Sequence, residues 1–228
     1  DLNYFYNVCG GSIYHQKGLF TMTGGTIGID AEGKPAGGTC LPRNTEGGNL
    51  YLYDASIGSK IVGGTIAYGN VLGLDEEGNP IYGPVAKGGN AVGLGRTEFG
   101  GTAVIRDGYA TSRGGNISLF NNGSLKITGG TISGGIAPRG GNIVIGGTGT
   151  TAHEIVITGG TVSGGTATAE GTNIFTESTA SVEISGGTIE GGIHYGSTGT
   201  LTLSGAPQIE AESGASIFIP TGKKLTLG

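Results

Sequence analysis

The sequence predicts an all-β chain wound as a parallel β-helix, with three short strands in each coil, about six to seven coils and two loop insertions near the N-terminal end. Three observations carry that expectation. Glycine pairs recur at near-regular spacing, short alternating apolar stretches fill the intervals, and Asn and Thr return to the same place in each interval.

The repeat is set by two signatures. A glycine pair followed by Asn begins at Gly47, Gly88, Gly114 and Gly140, with degenerate copies at Gly10 and Gly171. The steps from 88 to 114 and from 114 to 140 are both 26 residues, and the next, to 171, is 31. A second signature, GGT, follows in turn at Gly24, Gly63, Gly100, Gly129, Gly159 and Gly186. Fixed-period self-similarity of this length marks units that cannot bury an apolar face alone and therefore stack.

One unit, "GGNISLFNNGSLKITGGTISGG" from 114 to 135, shows the elements in order. Ile117 and Leu119 flank Ser118, Leu125 and Ile127 alternate with Lys126 and Thr128, and Ile132 sits between Thr131 and Ser133. Strict alternation over three to five residues is the half-buried strand pattern, one side chain inward and the next outward. The glycine pairs supply the positive φ of tight corners. Stacking places Ile117 over Ile143, Leu119 over Ile145, Ile127 over Ile157 and Ile132 over Val162, at the strand spacing of about 4.8 Å. Thr65, Thr102, Thr131, Thr161 and Thr188 then form an outward column, and Asn49, Asn90, Asn116, Asn142 and Asn173 a corner column whose amides can bond the coils above and below.

These residues resemble the right-handed parallel β-helix of the pectin-lyase-like type, and more closely the "GGTISGG" segments of large adhesin-like bacterial surface proteins; the resemblance covers roughly residues 9 to 205. It implies a right-handed coil and an extracellular or cell-surface setting. It does not choose a function, because that superfamily holds polysaccharide lyases, glycoside hydrolases, phage tailspikes and non-catalytic adhesins.

Composition bounds the rest. The 228 residues read as a single domain, with 1–9 as an N-terminal cap or lead-in strand, 28–46 and 70–87 as the loop insertions and 206–228 as a last partial coil. Charged residues are 13% and the net charge is −5, with no basic stripe of the kind a nucleic-acid partner needs. No apolar run approaches the roughly 18 residues that span a bilayer, so no membrane insertion is expected.

The insertions interrupt the scaffold, which is where function tends to sit. They carry the related strings "GIDAEGKP" and "GLDEEGNP", expected to leave the same corner of neighbouring coils and lie side by side. Asp30, Glu32, Asp75, Glu76 and Glu77 could hold Ca²⁺ together with backbone carbonyls. With Arg43, Tyr51 and Tyr82, the first four of these are candidate ligand contacts for a polysaccharide or glycan. The plainer reading of D-x-E-G-x-P is a β-turn copied with its coil. Cys9 and Cys40 can approach by stacking, which would allow a disulfide pinning the first loop to the N-terminal coil.

Other features read as structure. The residues before the glycine pairs, Glu46, Lys87, Arg113, Arg139 and Glu170, form a mixed-charge column expected as a solvated edge, with Arg113 and Arg139 the pair a sugar acid would use. His15, His153 and His194 share no unit position and are expected at the surface or in turns. A glycosidase needs two carboxyls across a groove, and pairs exist only by borrowing Asp30 with Asp75, or from around Asp54, Glu98 and Asp107. Tyr4, Phe5 and Tyr6 read as an apolar cap, and Tyr51 and Tyr82 as the better sugar-stacking candidates.

The expected function is a non-catalytic extracellular module, adhesin-like or a fibre stalk, able to bind glycans through the N-terminal loops and to associate end to end. The alternative is a lyase or glycosidase with its site between the loops. An ice-binding Thr face ranks last, because the outward column is irregular.

Overall fold

Parallel strands stacked coil on coil make up the whole of the computed structural model, which describes residues 11–40, 47–53, 58–71, 87–93, 95–120, 123–146, 153–211 and 214–228. The chain is a parallel β-helix. Every pairing between its strands is parallel, and among the described residues they form sheets of eight, ten and five strands. No helix among those residues is long and apolar enough to cross a membrane. The N-terminal stretch 1–9, Cys9, Arg43, Asp54 and the group Asp75, Glu76, Glu77 and Tyr82 lie outside the described residues.

The core ladders follow the expected register. Ile117 pairs with Ile143 and Leu119 with Ile145 in the eight-stranded sheet, while Ile127 pairs with Ile157 and Ile132 with Val162 in the ten-stranded sheet. Each of these residues is buried. Burying a side chain of that size is worth about 1.5–3 kcal/mol, repeated at every coil. Both large sheets record eight passes, two more than the six glycine signatures of each kind, because Ile193–Tyr195 and Ile217–Phe218 carry no GGN mark and Leu201–Leu203 and Leu225–Leu227 no GGT mark.

Three strands per coil hold in the regular coils, but the partition differs from the expected one. The second and third apolar stretches run on as one strand, Ser124–Ser133, with register irregularities around Gly129 and Gly130. Gly130 has φ +76°, and a Cβ there would meet the Phe99 ring at 2.8 Å. The strand missed in the sequence is Ile136–Arg139, which belongs to the five-stranded sheet with Thr166–Glu170, Tyr109–Ala110, Asn70–Val71 and Thr39–Cys40. Its members have small or mixed residues and a Pro, so no apolar alternation announces them.

The Asn corner column forms as expected and is fully enclosed. Asn49, Asn90, Asn116, Asn142 and Asn173 are at most 1% exposed. Each Nδ2 donates to the next Oδ1, at 2.8 Å from Asn49 to Asn90, 2.7 Å to Asn116, 2.7 Å to Asn142 and 2.5 Å to Asn173. The same amides also satisfy the backbone of the corner, since Asn116 accepts from the Gly108 amide at 2.9 Å and donates to the Ser133 carbonyl at 2.8 Å.

The outward Thr column needs one correction. Thr26, Thr65, Thr131, Thr161 and Thr188 share a register row, but the third coil places Val104 there instead of Thr102. Thr102 stands in a turn, because "GGTAVIR" carries two more residues than its counterparts before the strand resumes at Val104.

A second corner explains two unusual backbones. The residues after the ten-stranded sheet, Gly28, Tyr68, Asp107, Gly134, Gly164 and Gly191, all have positive φ. Tyr68 at +58° and Asp107 at +55° are not glycine and bear a strain cost there. Arg106 holds both, donating to Tyr68 Oη at 2.7 Å, lying 4.8 Å from its ring centroid and pairing with the Asp107 carboxylate.

Candidate functional site

Strands that pair with each other lie inside the two insertions, Thr39–Cys40 in 28–46 and Asn70–Val71 in 70–87. The Asp30 turn precedes the Thr39–Cys40 strand, whereas Asp75 to Tyr82 follow the Asn70–Val71 strand that pairs with it. The side-by-side placement expected of the two strings falls on residues outside those described.

The first string is a closed turn. Asp30 Oδ1 accepts from the Glu32 amide at 3.1 Å and the Lys34 amide at 2.7 Å. The Asp30 amide donates to the Lys34 carbonyl at 3.0 Å, Gly33 takes φ +79°, and Ile29 bridges Pro35 antiparallel. Asp30 thus uses one carboxylate oxygen to hold its own loop, and Glu32 is exposed. Among the described residues no three His, Cys, Asp or Glu side chains group as a metal site. The other carboxylates of the Ca²⁺ expectation, and the Cys9 half of the disulfide, lie outside those residues.

The outward side of the eight-stranded sheet is covered, contrary to the simple alternation. Tyr51, Val92, Ser118, Val144 and Phe175 project outward between core residues yet are 0 to 5% exposed. The charged column lies along this side. Lys87 lies 5.1 Å from the Phe120 centroid, Arg139 lies 5.4 Å from the Phe175 centroid, and Arg113 pairs with Glu177. Lys87, Arg113 and Arg139 stack by successive parallel bridges, so their stems fold over one apolar stripe. Arg139 is also paired with Glu170 at 3.1 Å, so the sugar-acid role expected of Arg113 and Arg139 meets two guanidiniums that are already neutralised.

At the N-terminal end the stripe changes from covered to open and becomes aromatic. Tyr14 and Tyr51 are register partners with ring centroids 5.5 Å apart, and Tyr51 and Tyr53 stack at 6.2 Å with 16° between planes. Tyr51, the expected contact residue, is only 3% exposed; Tyr14 and Tyr53 are each 46% exposed. Phe120 packs edge-on to Tyr51 from the other side, at 6.3 Å. Tyr51 is a base that fixes two exposed rings, held from below by Val92 in the same small apolar cluster. Tyr53 stands in the same N-terminal group of aromatics as Tyr51 in the sequence, whereas only the stacking register puts Tyr14 beside Tyr51.

The histidines also differ from expectation. His153 is fully buried with neither ring nitrogen hydrogen-bonded, and burial pushes its imidazole below the ordinary range against the opposing charge of Glu177. His194 lies between the rings of Phe175 and Phe218, at 5.2 and 4.8 Å. His15 is edge-on to Phe20 at 6.0 Å.

A shallow groove of about 360 Å³ crosses the ten-stranded sheet, where Arg96, Glu98, Lys126 and Glu154 alternate in sign. Glu98 is engaged by Lys60 at 3.3 Å. Glu98 and Glu154 are offset by two coils and two residues, which separates their Cα atoms by roughly 12 Å. No family model, curated protein or solved structure matches the chain.

Proposed function

We propose that the chain is a non-catalytic extracellular β-helix module, adhesin-like or stalk-like, that binds glycans through its N-terminal coils. The observation that supports this reading is the pair of half-exposed rings, Tyr14 and Tyr53, seated on the buried Tyr51. Sugar rings bury their C–H faces on aromatic side chains, and rings already held in place lose little freedom on binding. The coil beneath supplies that rigidity, since Tyr14 and Tyr51 lie on paired strands and the Tyr53 amide donates to the His15 carbonyl at 2.9 Å.

The alternative is a lyase or glycosidase with its site between the two loop insertions. Asp75 lies outside the described residues, and Asp30 spends one carboxylate oxygen on its own turn, which favours the binding module. A panel of plant, microbial and host polysaccharides, assayed both for retention of the chain in affinity gels and for release of reducing or unsaturated ends, separates the two. Retardation without product is expected; product release that Asp30→Asn abolishes would replace the binding module with an enzyme.

A further inference from the structure

The five-stranded sheet stops while the other two continue. Ile143 stacks on Ile117 at a step of 26 residues, but Ile193 stacks on Ile174 after only 19. The difference is the length of one strand of the five-stranded sheet with its turn, and Gly191 and Gly192 close the corner instead. Thr166–Glu170 is therefore an edge strand in the body of the solenoid, with two further coils rising beside it in the eight- and ten-stranded sheets.

Three properties of this edge bear on what it can accept. Thr166 donates to the Gly135 carbonyl at 2.9 Å on the side of the preceding coil, so alternation turns the amide and carbonyl of Ala167 toward the open side, where no strand lies among the described residues. The strand reads Thr-Ala-Thr-Ala-Glu, with neither the Lys nor the Pro that commonly blunts an edge. At the corner where the omitted strands would begin, Glu190 and Glu210 are register partners in adjacent coils, both exposed. Like charges directly opposite across a ladder are unfavourable, and neither carboxylate has a cationic partner among the described residues.

We infer that this ledge is an acceptor for an extended segment of a partner protein, which adds in parallel as the next strand on Thr166–Glu170 with Lys or Arg at its N-terminal end against Glu190 and Glu210. Main-chain hydrogen bonds to Ala167 supply the register, and the two carboxylates choose the charge. Small side chains on the edge leave room for small or β-branched residues at alternate positions of the incoming strand.

The test uses the whole chain and two capped hexapeptides, Lys-Lys-Thr-Ala-Thr-Ala and Glu-Glu-Thr-Ala-Thr-Ala, followed by amide hydrogen exchange and chemical-shift titration. The basic peptide is expected to saturate, to slow exchange at Ala167, and to weaken roughly tenfold in the Glu190→Gln/Glu210→Gln protein. Backbone N-methylation of the same peptide removes its donors without touching the protein fold and is expected to abolish the protection. Unchanged Ala167 exchange at millimolar basic peptide, or equal binding of the acidic one, overturns the proposal.

Discussion

Asn116 donates from Nδ2 to Oδ1 of Asn142 at 2.7 Å, and both side chains are fully buried. Asn116 also accepts from Asn90 Nδ2 and the Gly108 amide and donates to the Ser133 carbonyl, so one side chain satisfies groups from three coils. Replacing it with Ala leaves several buried groups without partners, each costing about 1–3 kcal/mol. Asn116→Ala is expected to lose about 3–5 kcal/mol in denaturant melts, and Asn116→Asp to fare no better, because a carboxylate cannot donate.

Gly130 marks where the long strand crosses its irregularity. Gly130→Ala sets a Cβ 2.8 Å from the Phe99 ring and 2.6 Å from the Ala103 carbonyl, at φ +76°. A loss of about 2 kcal/mol or more is expected in the thermal melt. Gly24→Ala, in the equivalent corner of the first coil with nothing within 4 Å of the new Cβ, is expected to change stability by less than about 1 kcal/mol.

His153 makes the fold sensitive to mild acid. Its neighbours in the stacking column are Gly123 and Ala180, and the charge acting on it is Glu177, itself paired with Arg113. The folded state holds the ring neutral, whereas the unfolded chain protonates it below its ordinary value of 6.5. Stability from this group is complete above that value and falls as pH drops through it toward the lowered folded value. Urea melts between pH 7.5 and 5 are expected to show this decline, and His153→Leu to flatten it; an unchanged slope would contradict the assignment.

The ion pairs divide by exposure. Lys60 and Glu98 are 50% and 36% exposed, so Glu98→Ala is expected to fall within about 0.5 kcal/mol of the parent. Arg113 and Glu177 are 16% and 23% exposed, and Arg113→Ala leaves a carboxylate poorly solvated beside the apolar stripe. About 1–3 kcal/mol is expected there, read from the same melts.

The core register was legible in residues such as Ile117 and Ile143 because one face of each strand must be apolar, and a slip of one residue would expose it. The Asn column was legible because only one corner geometry repeats that residue. Ile136–Arg139 was not legible, since Ala137 is its one buried side chain and Pro138 stands beside it, which leaves no apolar alternation. The candidate site was legible only in part. Tyr51 stood out as an aromatic in the right half of the chain, but its burial, and the exposure of Tyr14 and Tyr53 beside it, depend on a stacking partner 37 residues away. His153 was misjudged for the same reason, because its burial comes from coils above and below and not from its own strand.

The most direct test of the glycan-binding account is a titration of the chain, alongside Tyr14→Ala/Tyr53→Ala, with a polysaccharide that retards it, read by isothermal calorimetry. The parent is expected to bind saturably, and the double variant to lose at least about tenfold in affinity while keeping its melting temperature within a few degrees. Equal affinity in the two proteins, or no saturable binding of the parent to any glycan of the panel, would contradict it.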